Sequence, residues 1–222
     1  MPGCHFDAVI FDLDGVLLDS EPIYLGATNT VLAREGRFLS AEQNAPYIGW
    51  RYDEVLREII PRLGLAHPPE YYRDETRREV LRRLSGPLDP PPGAVALLDR
   101  LEAAGVPRAV GSSSAHAWVE TILDGLGLRE RFPVVVGGDD VAHGKPAPDI
   151  FLRCAELLGV PPERCVVIED SPHGVMAARR AGMAPIGLRT AATASLVLDG
   201  CLAVVDGLDA CAPHLGFADD GV

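Results

Sequence analysis

Apolar residues in the second half of the chain fall into short runs, at 106–110, 134–136, 165–168, 185–188 and 202–205. Between them lie stretches whose apolar positions recur at helical spacing, such as 94–104, 150–158 and 174–181. Short apolar runs alternating with helical patterns predict βαβ units, and so a parallel sheet flanked by helices. One more run, at 6–11, is apolar except for Asp7 and predicts a further buried strand near the start of the chain. Residues 20–86 differ: VLREIIPRL and YYRDETRREVLRRL carry arginine and glutamate with helical periodicity, and no convincing strand occurs there. This stretch reads as an all-helical insert. The cluster GPLDPPPG at 86–93 marks the return hinge, and 18–21 the entry hinge. The predicted organisation is an α/β core of residues 1–19 and 87–222, interrupted by a helical unit over 20–86. No internal repeat is visible.

Composition narrows the classes. The 222 residues are 47% hydrophobic and 23% charged, an ordinary globular balance with enough chain for one good core and a smaller satellite. No apolar run approaches the roughly 20 residues needed to span a bilayer, and the first residues lack a basic segment followed by a long apolar one. A cytoplasmic protein without membrane contact is expected, as a monomer or weak dimer. Cys4, Cys154, Cys165, Cys201 and Cys211 are odd in number and scattered, with no zinc-site spacing, so they read as reduced, mostly buried thiols. A net charge of -12 without a basic stripe argues against a nucleic-acid partner. A small anionic ligand would need local positive charge or a metal.

Candidate chemistry sits where the predicted strands end. In FDAVIFDLDGVLLDS, Asp12 lies at the carboxyl end of the first strand, where open α/β sheets bind ligands. A turn at Gly15 can bring Asp14 to the same pocket, so one carboxylate could act as nucleophile and the other as general acid/base. The plain alternative is a strand followed by an Asp-Gly turn. Gly111-Ser112-Ser113-Ser114, after the strand ending at Val110, offers hydroxyls and amides suited to phosphate oxygens, or only a helix N-cap. Lys145 stands between turn formers in GKPAPD, where two prolines restrict the backbone and make its ammonium a fixed point charge. Glu169-Asp170-Ser171 follows the run CVVI and adds two more carboxylates at a strand end. Four carboxylates together would repel, and a divalent cation such as Mg2+ removes the conflict.

DLDG, the Ser112 loop, Lys145 and Glu169-Asp170, in this order, resemble the four motifs of the haloacid dehalogenase superfamily over essentially the whole chain. GGDDVAHGKPAPDIFL and CVVIEDSPHGVMAARRAGM are similar to the subgroup of β-phosphoglucomutases, phosphoglycolate phosphatases and sugar-phosphate phosphatases. The resemblance implies a Rossmann-like core with the helical insert as a mobile cap. It implies that Asp12 attacks phosphorus to give an aspartyl-phosphate, while Asp14 protonates the leaving alcohol and then activates water. It further implies Mg2+ on the Asp12 carboxylate, the Asp14 carbonyl and the Asp170 carboxylate, with Glu169 in support. Ser112 and Ser113 would bind phosphoryl oxygens, and Lys145 would pair with Asp12 and the phosphate.

Three other readings compete. Dehalogenases and phosphonatases are set aside because Asp14 suits the leaving alcohol of a phosphate ester. A mutase of the β-phosphoglucomutase type is the main alternative, but Tyr24 stands where those enzymes carry a cap histidine and Tyr52 where they carry an arginine. Gly49-Trp50-Arg51 instead resembles the caps of sugar-phosphate phosphatases, which makes Arg51 a candidate contact for the organic part of the substrate and Trp50 a wall beside it. A non-catalytic regulatory protein is the distant alternative. His116, His143 and His173 are expected near the rim of the site, Asp19 and Glu21 as structural residues around the hinge. The resulting expectation is a Mg2+-dependent phosphatase of a small metabolite, a sugar or polyol phosphate.

Overall fold

The computed structural model describes residues 6–47, 52–190, 193–194 and 196–217. The chain separates into two compact units, one of residues 1–18 and 88–222 and the other of 19–87. In the larger unit six parallel strands make one sheet: β1 (Ala8–Phe11), β2 (Arg108–Gly111), β3 (Val134–Val136), β4 (Cys165–Glu169), β5 (Ala184–Leu188) and β6 (Ala203–Val205), in the spatial order β3-β2-β1-β4-β5-β6. Every residue of β1 and β4 is buried, because helices cover both faces of a parallel sheet and leave no solvent side.

The helices of the smaller unit are α1 (Glu21–Leu32), α2 (Ala41–Asn44), α3 (Tyr52–Leu63) and α4 (Pro69–Leu84). The larger unit adds α5 (Ala94–Ala103), α6 (His116–Gly125), α7 (Asp149–Leu158) and α8 (Pro172–Arg180). Ala8, Ile10, Ala109 and Val167 pack with Ile150 and Phe151 of α7 and Ala177 and Ala178 of α8 in one core. The small unit has its own core, in which Val31, Leu32, Val55, Leu56, Ile59 and Tyr72 come from α1, α3 and α4. Among the described residues no helix is long and apolar enough to cross a membrane. Cys154, Cys165, Cys201 and Cys211 are free thiols, all but Cys201 buried, and Cys4 lies outside the described residues.

Register places the chemistry. Phe11 pairs with Val110 on one side and with Ile168 on the other, so the residues just past these three strands stand level at one sheet edge. Asp12, Ser112 and the pair Glu169-Asp170 occupy that level. The chain crosses to β2 and β3 on one side of β1 and to β4, β5 and β6 on the other, so this edge is the switch point where open sheets form a crevice.

Candidate active site

Asp12 is drawn to the end of β1 by its own amide, which donates to the Ile168 carbonyl at 2.9 Å and continues the ladder one residue beyond the strand. Its side chain is buried, as are those of Ser112, Glu169 and Asp170. Carboxylate oxygens of Asp12, Glu169 and Asp170 all lie within 4.8 Å of one another. Lys145 reaches into this group. Its Nζ donates to Asp12 Oδ1 at 2.5 Å and to Glu169 Oε1 at 2.9 Å, and it lies 4.7 Å from the centre of the Phe151 ring. The loop that carries it has a cis Lys145–Pro146 peptide, and Arg180 of α8 donates to the Pro146 carbonyl at 2.9 Å.

Burial governs the ionisation. It pushes the Asp12 carboxyl up to about 7, against the Lys145 charge and with a further push from Glu169 and Asp14. Asp170 rises to about 8 for the same first reason, the charges of Asp12 and Glu169 adding to it. Burial alone would depress Lys145, but the two carboxylates outweigh it and raise the ammonium's pKa above the usual lysine range. When ionised, the three buried carboxylates outnumber the one ammonium and carry excess negative charge. An oxygen-only donor set with that excess suits a hard divalent cation, which would lower both raised carboxyls. The residues therefore fit a metal of the Mg2+ type.

Two glycines make room for these carboxylates. Gly15 has a φ of +83°, and a Cβ there would stand 2.0 Å from Asp170 Oδ2. Gly174, in the first turn of α8, approaches Glu169 so closely that a Cβ would meet Oε1 at 1.6 Å. Glu169 is pinned at its other oxygen by the Ser171 amide, which donates to Oε2 at 2.6 Å, and Ser171 caps α8 by accepting from the Gly174 amide at 3.0 Å. Glu169 thus spends both oxygens on protein donors.

Asp14 lies within the turn that begins at Leu13, whose carbonyl accepts from the amides of Leu17 and Leu18 at 2.9 and 3.0 Å. Its Oδ2 accepts from Ser114 Oγ at 3.2 Å. Ser112 is buried, and its Oγ accepts from the Ser114 amide at 3.1 Å, which leaves the hydroxyl proton to donate. Ser113, given the same phosphate role by the sequence, has an exposed side chain. The contact between Ser114 and Asp14 was not legible, since three consecutive serines look alike until the loop is folded. The sequence shows Gly15 only as a turn and Gly174 only as part of a helical stretch, because close approach across the fold leaves no local signal.

Of the histidines, His116 hydrogen-bonds Asp140 through Nδ1 at 2.6 Å, and that bond raises its pKa. Its amide donates to Asp139 Oδ1 at 2.6 Å, so it ties the serine loop to the segment after β3. His143 Nδ1 lies 3.0 Å from Asp149 Oδ1, and His173 is exposed on α8. Asp19 is exposed, and Glu21 begins α1. Gly49, Trp50 and Arg51 lie outside the described residues. Tyr52 is committed to the small unit's interior: its hydroxyl donates to Thr76 Oγ1 at 2.8 Å and lies 3.2 Å from Thr28 Oγ1.

A family model described as haloacid dehalogenase-like hydrolase matches residues 6–182. The fructose-1-phosphate phosphatase YqaB of Escherichia coli is 36% identical over 187 residues, 83% of this chain and 97% of that protein. A HAD family hydrolase from Deinococcus radiodurans, solved with bound phosphate and sodium, superposes with a TM-score of 0.82 at 34% identity, covering 96% of each chain. The structure of a β-phosphoglucomutase candidate from Thermotoga maritima gives 0.79 at 31% identity, over 95% of this chain and 97% of that one.

Proposed function

The chain belongs to the haloacid dehalogenase-like hydrolases, and from that premise we propose a Mg2+-dependent phosphatase of a sugar or polyol phosphate, working through an aspartyl-phosphate on Asp12. The observation that carries this reading is the ammonium of Lys145 bound to Asp12 Oδ1 inside a buried carboxylate group. Lys145 fixes the rotation of the Asp12 carboxylate and opposes the rise that burial imposes on its pKa, which leaves the other oxygen for attack. With two N–H bonds spent on Asp12 and Glu169, the third can meet a phosphoryl oxygen. Ser112 offers its hydroxyl proton to another.

In the first step an Asp12 oxygen bonds to phosphorus and the ester P–O bond breaks. Asp14, oriented by Ser114, gives its proton to the departing alkoxide. In the second step Asp14, now ionised, takes a proton from water; the hydroxide bonds to phosphorus, the Asp12–phosphorus bond breaks, and inorganic phosphate leaves. A divalent cation held by Asp12 and Asp170, with Glu169 behind them, supplies the charge neutralisation that phosphoryl transfer chiefly requires.

The relative named a fructose-1-phosphate phosphatase supports a phosphorylated carbohydrate as substrate. The similarity to a β-phosphoglucomutase candidate keeps a mutase as the second reading. Against it, Tyr52, at the position of the mutase arginine, turns its hydroxyl to Thr28 and Thr76. The test is phosphate release with Mg2+ from a panel of sugar, polyol and glycolate phosphates, beside glucose 1-phosphate isomerisation with a bisphosphate primer. Release from a narrow set, abolished in Asp12→Asn, supports the phosphatase; isomerisation without release would establish the mutase.

A further inference from the structure

The turn that follows β3 is fastened to the serine loop by backbone and side chain together. The Ser112 amide donates to the Val136 carbonyl at 3.0 Å, and the Gly138 amide to the Ser114 carbonyl at 2.7 Å. Two further bonds belong to His116: its amide donates to Asp139 Oδ1 at 2.6 Å, and its ring Nδ1 lies 2.6 Å from Asp140 Oδ2. An ionised carboxylate only accepts, so Nδ1 carries the proton of that bond. Asp140 is itself held, because the same Oδ2 accepts from the Gly137 amide at 2.8 Å. Asp139 takes up a first-turn amide of α6 that Ala115, the residue before the helix, has no side-chain acceptor to meet.

Only small residues permit this approach. A Cβ at Gly137 would stand 2.3 Å from the His116 amide nitrogen, and one at Gly138 2.3 Å from the Ser113 carbonyl oxygen. The run GGDD thus supplies two glycines for close contact and two carboxylates for capture. Around the ring stand Asp140 and Asp139 of the turn and Glu120 of α6, whose Oε1 lies 3.4 Å from Nε2. Arg129 pairs with Glu120, and Arg153 of α7 acts on Asp140. The bond to Asp140 outweighs partial burial and favours the charged ring. Water reaches both His116 and Asp140, so their pairing adds little to global stability. What it can fix is position. His116 stands two residues after Ser114, whose Oγ donates to Asp14 Oδ2 at 3.2 Å. Ser112, buried and tied to Val136, keeps its place without His116.

We propose that His116, held by Asp140, is a positioning residue that sets Ser114 and, through it, the direction of the Asp14 carboxylate. The inference rests on the phosphatase reading for the proton that Asp14 gives to the leaving alcohol. Two measurements on the full chain test it, each in the native protein, His116→Leu and His116→Asn. Asparagine carries its amide nitrogen on the carbon that bears Nδ1 in histidine, so it can still donate to Asp140, whereas leucine cannot. The first measurement is kcat/KM with Mg2+, which covers the steps up to departure of the alcohol, for the preferred sugar phosphate and for p-nitrophenyl phosphate. His116→Leu should lower it about tenfold for the sugar phosphate, a part of the full general-acid contribution, and less than about twofold for the aryl ester, whose leaving group needs no proton. His116→Asn should restore most of the loss. Both esters slowed equally, or neither slowed, overturns the proposal. The second measurement follows amide hydrogen exchange by NMR without substrate. Exchange at Ser114 and Gly138 should quicken about tenfold in His116→Leu, stay near native in His116→Asn, and be unchanged at Val110 within β2. Native exchange at Ser114 and Gly138 in His116→Leu refutes the proposal whatever the kinetics show. If the native protein releases no phosphate from either ester, the phosphatase reading falls, and the exchange alone decides whether His116 sets the loop.

Discussion

Lys145 binds Asp12 and Glu169 with the same ammonium, at 2.5 and 2.9 Å, so a single side chain offsets the charge of the proposed nucleophile and of the carboxylate beside it. Removing one partner of a buried ion pair typically costs about 3–5 kcal/mol because the other charge is left without compensation. Here the loss has an escape, since Asp12 titrates near 7 and can take up a proton instead. Lys145→Met should therefore destabilise the metal-free protein by a few kcal/mol at pH 8 and by clearly less at pH 6. Urea unfolding in EDTA at both values measures it, and a loss independent of pH would count against the pairing.

Metal and pH are linked through the raised carboxyls. Asp12 near 7 and Asp170 near 8 bind protons in the folded protein that unfolded carboxyls, at about 4, have already released. The stability tied to these protons is complete below about pH 4 and is lost as pH rises through 7 and 8. Metal-free protein should weaken steadily from pH 5 to 8. Mg2+ displaces the protons and stabilises by mass action, so the gain in Tm on adding Mg2+ should grow over the same interval. Thermal unfolding with EDTA or with Mg2+ at pH 5.5, 6.5 and 8 reads both trends. A Mg2+ gain that is flat across the three would refute the assignment of Asp12 and Asp170 as the metal's carboxylates.

The strands and the placement of the motifs at their ends were legible because both rest on local signals. Val134–Val136 forms β3 over the span its apolar run predicts, and the runs at 165–168 and 185–188 fall within one residue of β4 and β5. The helical insert was legible from its arginine-glutamate periodicity. Less legible were relations between distant positions. Nothing near Glu169 announces that it will bond Lys145, 24 residues earlier, or that Gly174 must stay small for it. The two hydroxyl partners of Tyr52 lie 24 residues before and after it, and only the packing of α1, α3 and α4 brings them together.

Gly174 gives the next prediction. A methyl group there would overlap the Glu169 carboxylate, and the backbone of α8 cannot retreat without disturbing the Ser171 cap. Glu169 would have to leave Lys145, the Ser171 amide, or both. Gly174→Ala, normally a mild stabiliser within a helix, should instead cost about 2 kcal/mol or more and weaken Mg2+ affinity at least about tenfold. Calorimetric titration of Mg2+ and chemical denaturation test the two effects separately. Normal stability with normal Mg2+ affinity would mean that the approach to Glu169 is looser than the structure has it.

Asp14 is the proposed acid and base, and its two duties can be separated by the choice of leaving group. Its carboxylate is oriented by Ser114 at 3.2 Å. A sugar alkoxide is a poor leaving group and needs a proton as the P–O bond breaks, whereas nitrophenolate departs without one. Asp14→Asn should therefore slow phosphoryl transfer from a sugar phosphate by about 10²–10⁴-fold and from p-nitrophenyl phosphate far less. The second step has no such escape, because water must still be deprotonated to resolve the aspartyl-phosphate. With p-nitrophenyl phosphate the variant should release about one equivalent of nitrophenol per site in a rapid burst and then turn over slowly, and the phosphoryl group should be recoverable on Asp12 by peptide mass analysis after acid quench. The same variant combined with Asp12→Asn should show no burst. A sugar phosphate and an aryl phosphate slowed equally, with no burst, would remove Asp14 from both proton transfers.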